Sequence, residues 1–263
     1  MKHDVKARET GRNSGTGPRS FVRCADCAMR QFCMPKDFDS EVLRSFEALV
    51  TGARKVRRGR TLYVPGDRFH GLFAVRSGAL KTGFTGRTGR EQITSIHLSG
   101  DAIGFDGVAG DVHVFRAVAL EDSWVCKVPY TALKQLCRES QAVQSRFNQL
   151  VGDLLNHEAT QMAALRSRAA SQRVAALLLD LMERYTQRGY SPGQFCLPMT
   201  RWEIGSYLGL TLKTVCRTMT ALRKRGLIEA SGKQINITDE NGLRSILMLD
   251  FQRRRRKDET KEP

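Results

Sequence analysis

Apolar positions along the 263-residue chain fall into three textures. In the first, from Asp37 to Val50, Leu43, Phe46, Leu49 and Val50 recur at helical spacing and predict a short helix. In the second, from about Ala53 to Tyr130, short apolar runs alternate with glycine turns. Leu62-Tyr63-Val64 precedes Pro65-Gly66-Asp67, Leu72-Phe73-Ala74-Val75 precedes Ser77-Gly78, and Ile93 to Leu98 precedes Ser99-Gly100-Asp101. The pattern continues through Val112-His113-Val114-Phe115 and Trp124-Val125-Cys126-Lys127-Val128. Strands at this spacing predict a small all-β sandwich or barrel with Cys126 on a strand. In the third texture helical periodicity returns. Phe147, Val151, Leu154, Glu158, Gln161 and Leu165 follow steps of four and three on a helix from about Ser145 to Ala169, a coiled-coil seam. Leu150, Leu155, Met162 and Ala163 widen its apolar face. Glu158 therefore stands where an apolar residue is expected. In a parallel homodimer two such carboxylates would meet, and desolvation and like charge would weaken the pair. A second helix, about Gln172 to Arg188, stops at Gly189 and Pro192, and Phe195 to Pro198 reads as an extended link.

The next signals are local. Thr200-Arg201-Trp202-Glu203 has capping-box form and opens a short helix to about Tyr207. Leu208-Gly209-Leu210 is a turn, and Thr211 can cap a helix from Leu212 to Lys224. Ile204, Leu208, Leu210, Val215, Met219 and Leu222 pack the pair together. Lys213, Thr214, Arg217, Thr218, Arg223 and Arg225 are expected on the open face, the layout of a recognition helix in the major groove of double-stranded DNA. Glu229 to Ile237, turning at Ser231-Gly232, reads as a β-hairpin wing.

Charge sharpens this picture. A net charge of +16 calls for a polyanionic partner, nucleic acid first and anionic membrane second. No run of about eighteen apolar residues marks a membrane span. Met1 to Ser20 lacks the apolar core of a signal peptide, so the cytoplasm is the expected location. The five histidines are scattered, and no Ser/His/Asp set, P-loop or carboxylate pair points to an enzyme. Of the seven cysteines, Cys24, Cys27 and Cys33 fall in a C-x2-C-x5-C run. Clustered thiols in a reducing compartment bind metal or do redox work more often than they form disulfides. Three thiolates do not close a tetrahedral site, and Cys126, Cys137, Cys196 and Cys216 remain candidates for the fourth. Thiolates suit iron–sulfur clusters and zinc alike.

Taken in this order, the chain resembles the CRP/FNR superfamily of bacterial regulators, and specifically the FNR-type (fumarate and nitrate reduction regulator) oxygen sensors. The likeness runs from about Cys24 to Ile237. It rests on the cysteine run, Gly100-Asp101-Ala102-Ile103-Gly104-Phe105-Asp106, Ala119 to Cys126, Gln187-Arg188-Gly189-Tyr190-Ser191-Pro192, and Met199-Thr200-Arg201 through Thr211. The resemblance implies an α+β fold: an N-terminal cyclic-nucleotide-binding-like β-roll, a long dimerisation helix and a C-terminal winged helix-turn-helix. The expected parts are a disordered basic arm (1–22), a cysteine arm (23–36), a β-roll sensor domain (37–144), the dimerisation helix (145–170), the DNA-binding domain (171–245) and a basic tail (246–263), where Arg253 to Lys257 could add phosphate contacts. It further implies a [4Fe–4S] cluster on Cys24, Cys27, Cys33 and Cys126, oxygen-controlled dimerisation with Glu158 as the switch in the dimer helix, and RNA polymerase as a partner. Arg201, Thr211, Lys213, Thr214, Cys216 and Arg217 form the expected DNA-contact set. The superfamily's alternative input, a cyclic nucleotide, is not expected. The cassette reads Ile103-Gly104-Phe105-Asp106 and Phe115-Arg116-Ala117, and Arg116 lacks a following hydroxyl. A cluster-free thiol-redox or small-ligand-responsive regulator is the competing reading.

Three residues depart from the FNR pattern. Lys213 stands where the family presents a glutamate, and Cys216 where it presents a serine, so a TTGAT–N4–ATCAA-type palindrome is only a starting point. Arg90 reverses the charge of a turn that often touches RNA polymerase. Cys216, between Lys213 and Arg217 early in a helix, can be a reactive thiol or a small contact residue. Cys137 and Cys196 are expected in the core.

Overall fold

The computed structural model describes residues 23–33, 38–86, 89–167 and 169–247. The expected basic arm at 1–22 and the Arg253–Lys257 cluster lie outside the described residues. The cysteine arm holds a 3-10 turn, Cys24–Asp26, and the one-turn helix α1, Arg30–Cys33. Helix α2, Ser40–Leu49, starts where the Asp39 carboxylate accepts from the amides of Glu41 and Val42 at 2.9 and 2.8 Å, satisfying donors that a helix start leaves unpaired.

The alternating segment folds as two four-stranded antiparallel sheets. Strands β1 (Ala53–Val56), β3 (Gly71–Ser77), β6 (Ala102–Ile103) and β8 (Ser123–Pro129) form one, in the order β1-β8-β3-β6. Strands β2 (Thr61–Tyr63), β4 (Ala79–Thr85), β5 (Glu91–Leu98) and β7 (Arg116–Ala119) form the other, in the order β2-β7-β4-β5. Val56, Leu62, Val75, Leu80, Ile103, Ala117 and Val125 are buried together between them, as period-2 alternation requires. Val112 to Phe115 does not join this ladder as expected. The Asp106 carboxylate accepts from the amides of Val114 and Phe115 at 2.9 and 3.1 Å, so those donors are spent on a loop.

Helix α3, Tyr130–Glu139, leads into α4, Gln141–Ser167, which begins four residues before the expected start, and then α5, Ala170–Gln187. Helices α6, Arg201–Leu208, and α7, Leu212–Lys224, meet at Gly209, whose φ of 63° is a conformation glycine adopts without strain. The wing is β10, Ile228–Ser231, with β11, Gln234–Ile237. The expected link at Phe195–Pro198 is partly a third strand, β9, Gln194–Cys196, paired with β11. That pairing turns Phe195 inward and Cys196 outward, so Cys196 is exposed rather than core.

The two halves share one apolar core. Ile93, Ile96, Leu98 and Leu120 of the β-roll pack in the same cluster as Leu178, Leu181, Met199, Ile204 and Leu222. Polar contacts fix the docking. Buried Lys81 pairs with Glu91 at 2.7 Å and with Glu203 at 3.0 Å. Ser206 donates to the Glu91 carbonyl and accepts from the Ile93 amide. Among the described residues no helix is long and apolar enough to cross a membrane.

Candidate cofactor and nucleic-acid sites

Cys24, Cys27 and Cys33 on the arm and Cys126 on β8 line one apolar cavity, closed by Phe32, Phe46, Leu72, Phe147 and Leu150. Cys126 reaches it because β8 lies between β1 and β3, with Cys126 opposite Ala53 and Ala74. Burial pushes the Cys33 thiol up to about 12 and the Cys24 thiol up to about 11; next in effect at Cys24 is the Glu47 carboxylate, which accepts from the Cys24 amide at 2.7 Å, and the neighbouring thiols add to both. Burial likewise raises Cys126. Two guanidinium groups oppose this: Arg76 acts on Cys24 and Cys126, and Arg146 acts on Cys33. Arg146 also holds a buried Nε with no hydrogen-bond partner. Four thiols in an apolar cavity bracketed by cations fit an anionic thiolate-bound centre. Among the described residues no three His, Cys, Asp or Glu side chains converge on a single metal ion. Of the other thiols, Cys137 borders the cluster around Leu133 and Leu136, while Cys196 and Cys216 are exposed.

The arm is tied to both helical elements beside it. Arg146 on α4 donates from Nη2 to the Phe32 carbonyl. The Phe32 ring lies 4.8 Å under the Arg188 guanidinium at the end of α5. It also packs on Gly100, where an added Cβ would lie 2.9 Å from the ring. Arg188, with 4% of its side chain exposed, pairs with Asp101 Oδ1 at 2.5 Å. Arg184 pairs with Asp101 Oδ2 at 2.5 Å and donates to the Ile96 carbonyl at 2.9 Å. From the sequence, Phe32 is expected only to tune solvent and oxygen access to the thiols, and Asp101, Arg146, Arg184 and Arg188 have no assigned role. The runs Gly100-Asp101 and Gln187-Arg188-Gly189 carried the only signal.

Helix α4 differs from its expected geometry. Phe147 faces Phe105 and Tyr130 of its own chain, with ring centroids 6.2 and 6.5 Å apart. The half-buried Glu158 carboxylate accepts from Ser95 on β5, and Leu154 lines the same cleft. The face read as the seam is thus turned to the β-roll. Leu155 and Met162, read as its widening, are 64% and 54% exposed and alternate with exposed Ala159 in steps of four and three.

In the helix pair, Thr200 accepts from the Glu203 amide while Glu203 accepts from the Thr200 amide at 2.8 Å. On α7, Lys213, Cys216 and Arg217 are exposed. Thr211 accepts from the Thr214 amide, and the two hydroxyls share a 2.9 Å hydrogen bond. Thr218, expected on the open face, is buried because it shares its side of the helix with Val215 and Leu222. Arg201 donates to the Gly232 carbonyl at 3.3 Å, bridging α6 to the wing turn. In the β-roll cassette, Asp106 also accepts from Tyr63 at 3.3 Å and lies 3.2 Å from His113 Nδ1. A carboxylate thus takes the backbone donors of this loop.

Residues 172–246 match the Crp-like helix-turn-helix domain, and residues 53–140 match the cyclic nucleotide-binding domain. The chain is 34% identical over 225 residues to a fumarate and nitrate reduction regulatory protein of Vibrio cholerae, covering 86% of this chain and 90% of that one. It is 36% identical over 222 residues to the transcriptional activator protein FnrA of Stutzerimonas stutzeri, covering 84% and 91%. The chain belongs to the CRP/FNR family of transcription regulators. Among solved structures, FixK2 from Bradyrhizobium japonicum matches with a TM-score of 0.69 and 31% identity, over 75% of this chain and 98% of that one. The β-roll, helices and C-terminal helix-turn-helix are the architecture of this CRP/FNR family, whose members here are regulators rather than enzymes.

Proposed function

We propose that this CRP/FNR protein is an oxygen- or redox-responsive DNA-binding regulator whose input is a [4Fe–4S] cluster held by Cys24, Cys27, Cys33 and Cys126. One observation carries the reading: four thiols from two distant segments line a single apolar cavity flanked by Arg76 and Arg146. The bound group would supply lability toward oxygen at that cavity. The chain's own residues do the rest. Phe32, Phe46, Leu72 and Phe147 keep water out. Arg146 anchors the arm to α4 through the Phe32 carbonyl, and the Phe32 ring rests on Gly100 and Arg188. An ordered arm therefore supports both α4 and α5. A released arm withdraws that support from the helix that would pair with a second copy and from the one that carries the DNA-binding unit. Homodimerisation would place two recognition helices about one DNA turn (~34 Å) apart on a palindromic site, with Arg217 and Lys213 at base edges. The Asp106 carboxylate, seated on the Val114 and Phe115 amides, disfavours a nucleotide phosphate there.

Anaerobic purification tests the reading. A brown protein carrying iron and acid-labile sulfide, lost in the Cys126→Ser variant, is the expected result. A colourless protein holding only zinc or free thiols would replace it with a thiol-redox regulator.

A further inference from the structure

The groove-facing surface of α7 has a chemical bias that bears on which bases it reads, granted that it binds DNA. Val215, Thr218, Met219 and Leu222 are buried and hold the helix against α6. The Thr214 hydroxyl is engaged in the helix cap with Thr211. The side chains left open over the first two turns are Leu212, 48% exposed, Lys213, Cys216 and Arg217. None of these four is a carboxylate or an amide. Lysine carries three donors and no acceptor, and arginine five donors and no acceptor. Cytosine N4 and adenine N6 offer donors to the major groove, and neither Lys213 nor Arg217 can receive them; the acceptors nearby are the Thr211 and Thr214 hydroxyls, already bonded to each other in the cap, and the weakly accepting Cys216 sulfur. Guanine offers two acceptors, O6 and N7, which arginine or lysine can take together.

We infer that Lys213 reads a guanine of its own in every half-site, beside the guanine that Arg217 takes under the reading above. Four residues at 1.5 Å per residue separate the two side chains by about 6 Å along one helix face. Base pairs stack about 3.4 Å apart, so the two side chains can reach different base pairs. Lys213 makes no hydrogen bond or ion pair among the described residues, so no internal carboxylate competes for its ammonium. Arg201 is not part of this pair, because its guanidinium reaches back to the wing at Gly232.

The test is selection from a pool of randomised duplexes with the full-length protein, purified anaerobically, alongside Lys213→Glu and Arg217→Ala. The wild type is expected to enrich two guanines per half-site. Lys213→Glu, which adds an acceptor at one exposed position, should convert one of them to cytosine and leave the other. Arg217→Ala should lose only the second. Each preference should amount to between about 5- and 150-fold over the wrong base. An unchanged base preference in Lys213→Glu, with a uniform loss of affinity and a salt slope smaller by about one, would place Lys213 on a phosphate and overturn the inference. So would a wild-type preference for cytosine at that position. Failure of the wild type to retain any duplex would sink the DNA-binding reading together with this inference. Retention without the two guanines sinks this inference alone.

Discussion

Replacing Asp101 with asparagine isolates the joint between the β-roll and the DNA-binding unit. In the wild type, one carboxylate accepts from Arg188 and Arg184 at 2.5 Å each and from the Leu98 amide at 2.7 Å. Asparagine keeps the shape but removes the charge, leaving two guanidinium groups facing one neutral oxygen. Removing one partner of a buried pair costs about 3–5 kcal/mol. The side chain of Asp101 is 25% exposed, so solvent recovers part of this. A loss of about 2–4 kcal/mol is expected, lowering Tm by about 4–12 °C in a protein of this size. Thermal unfolding followed by circular dichroism on the cluster-free protein reads it directly. Because Arg188 also carries the Phe32 ring, hydrogen exchange should speed up in α5 and in the arm together. The double variant Asp101→Asn/Arg188→Gln should recover part of the loss, since it removes the more buried of the two guanidinium groups, while Arg184 keeps Asp180 at 3.4 Å. A Tm within 1 °C of wild type for Asp101→Asn, or losses that simply add in the double variant, would refute the view that this carboxylate holds the two halves together.

Burial holds the His97 ring down to about 4, below its ordinary 6.5, so the fold contains it neutral, 3.0 Å from the Thr82 hydroxyl. The unfolded chain takes up that proton below about 6.5, so stability is full above this pH and falls as pH drops toward 4. The slope is about 1.4 kcal/mol per pH unit, with a total of about 3 kcal/mol. Urea midpoints at pH 7 and pH 5 should differ in the wild type and converge in His97→Gln. Gly100 takes φ of +94° beneath the Phe32 ring, so Gly100→Ala should expel the arm and shorten cluster lifetime in air severalfold. Unchanged absorbance decay would show that the Phe32 contact does not matter. Glu158→Ala should form dimers and bind DNA in air, as read by sedimentation and gel shift, because the substitution removes the Ser95 contact that ties this stretch of α4 to β5 of its own chain. A monomer under those conditions refutes its role as a switch.

Much of the chain was legible because its signals are local. The Thr200–Glu203 capping box, the Gly209 turn and the Thr211 cap satisfy backbone groups within three or four residues of themselves, so the helix pair and its start points follow from residue order. The alternating runs announced the β-roll for the same reason: period-2 burial needs only the strand itself. Contacts between distant segments were not legible, because no periodicity encodes which side of an amphipathic helix meets which neighbour. Both sides of α4 carry apolar residues in steps of four and three. Packing against Phe105, Tyr130 and Ser95 turned Phe147, Leu154 and Glu158 inward and left Leu155 and Met162 outside. Pairing with β11 exposed Cys196, and packing beside Val215 and Leu222 buried Thr218. Glu203 shows the division in one residue. The sequence alone determined its local role, closing the cap of α6 at 2.8 Å. Only the tertiary structure decided that its other oxygen meets Lys81, 122 residues away, because an ion pair across that separation depends on where two domains come to rest.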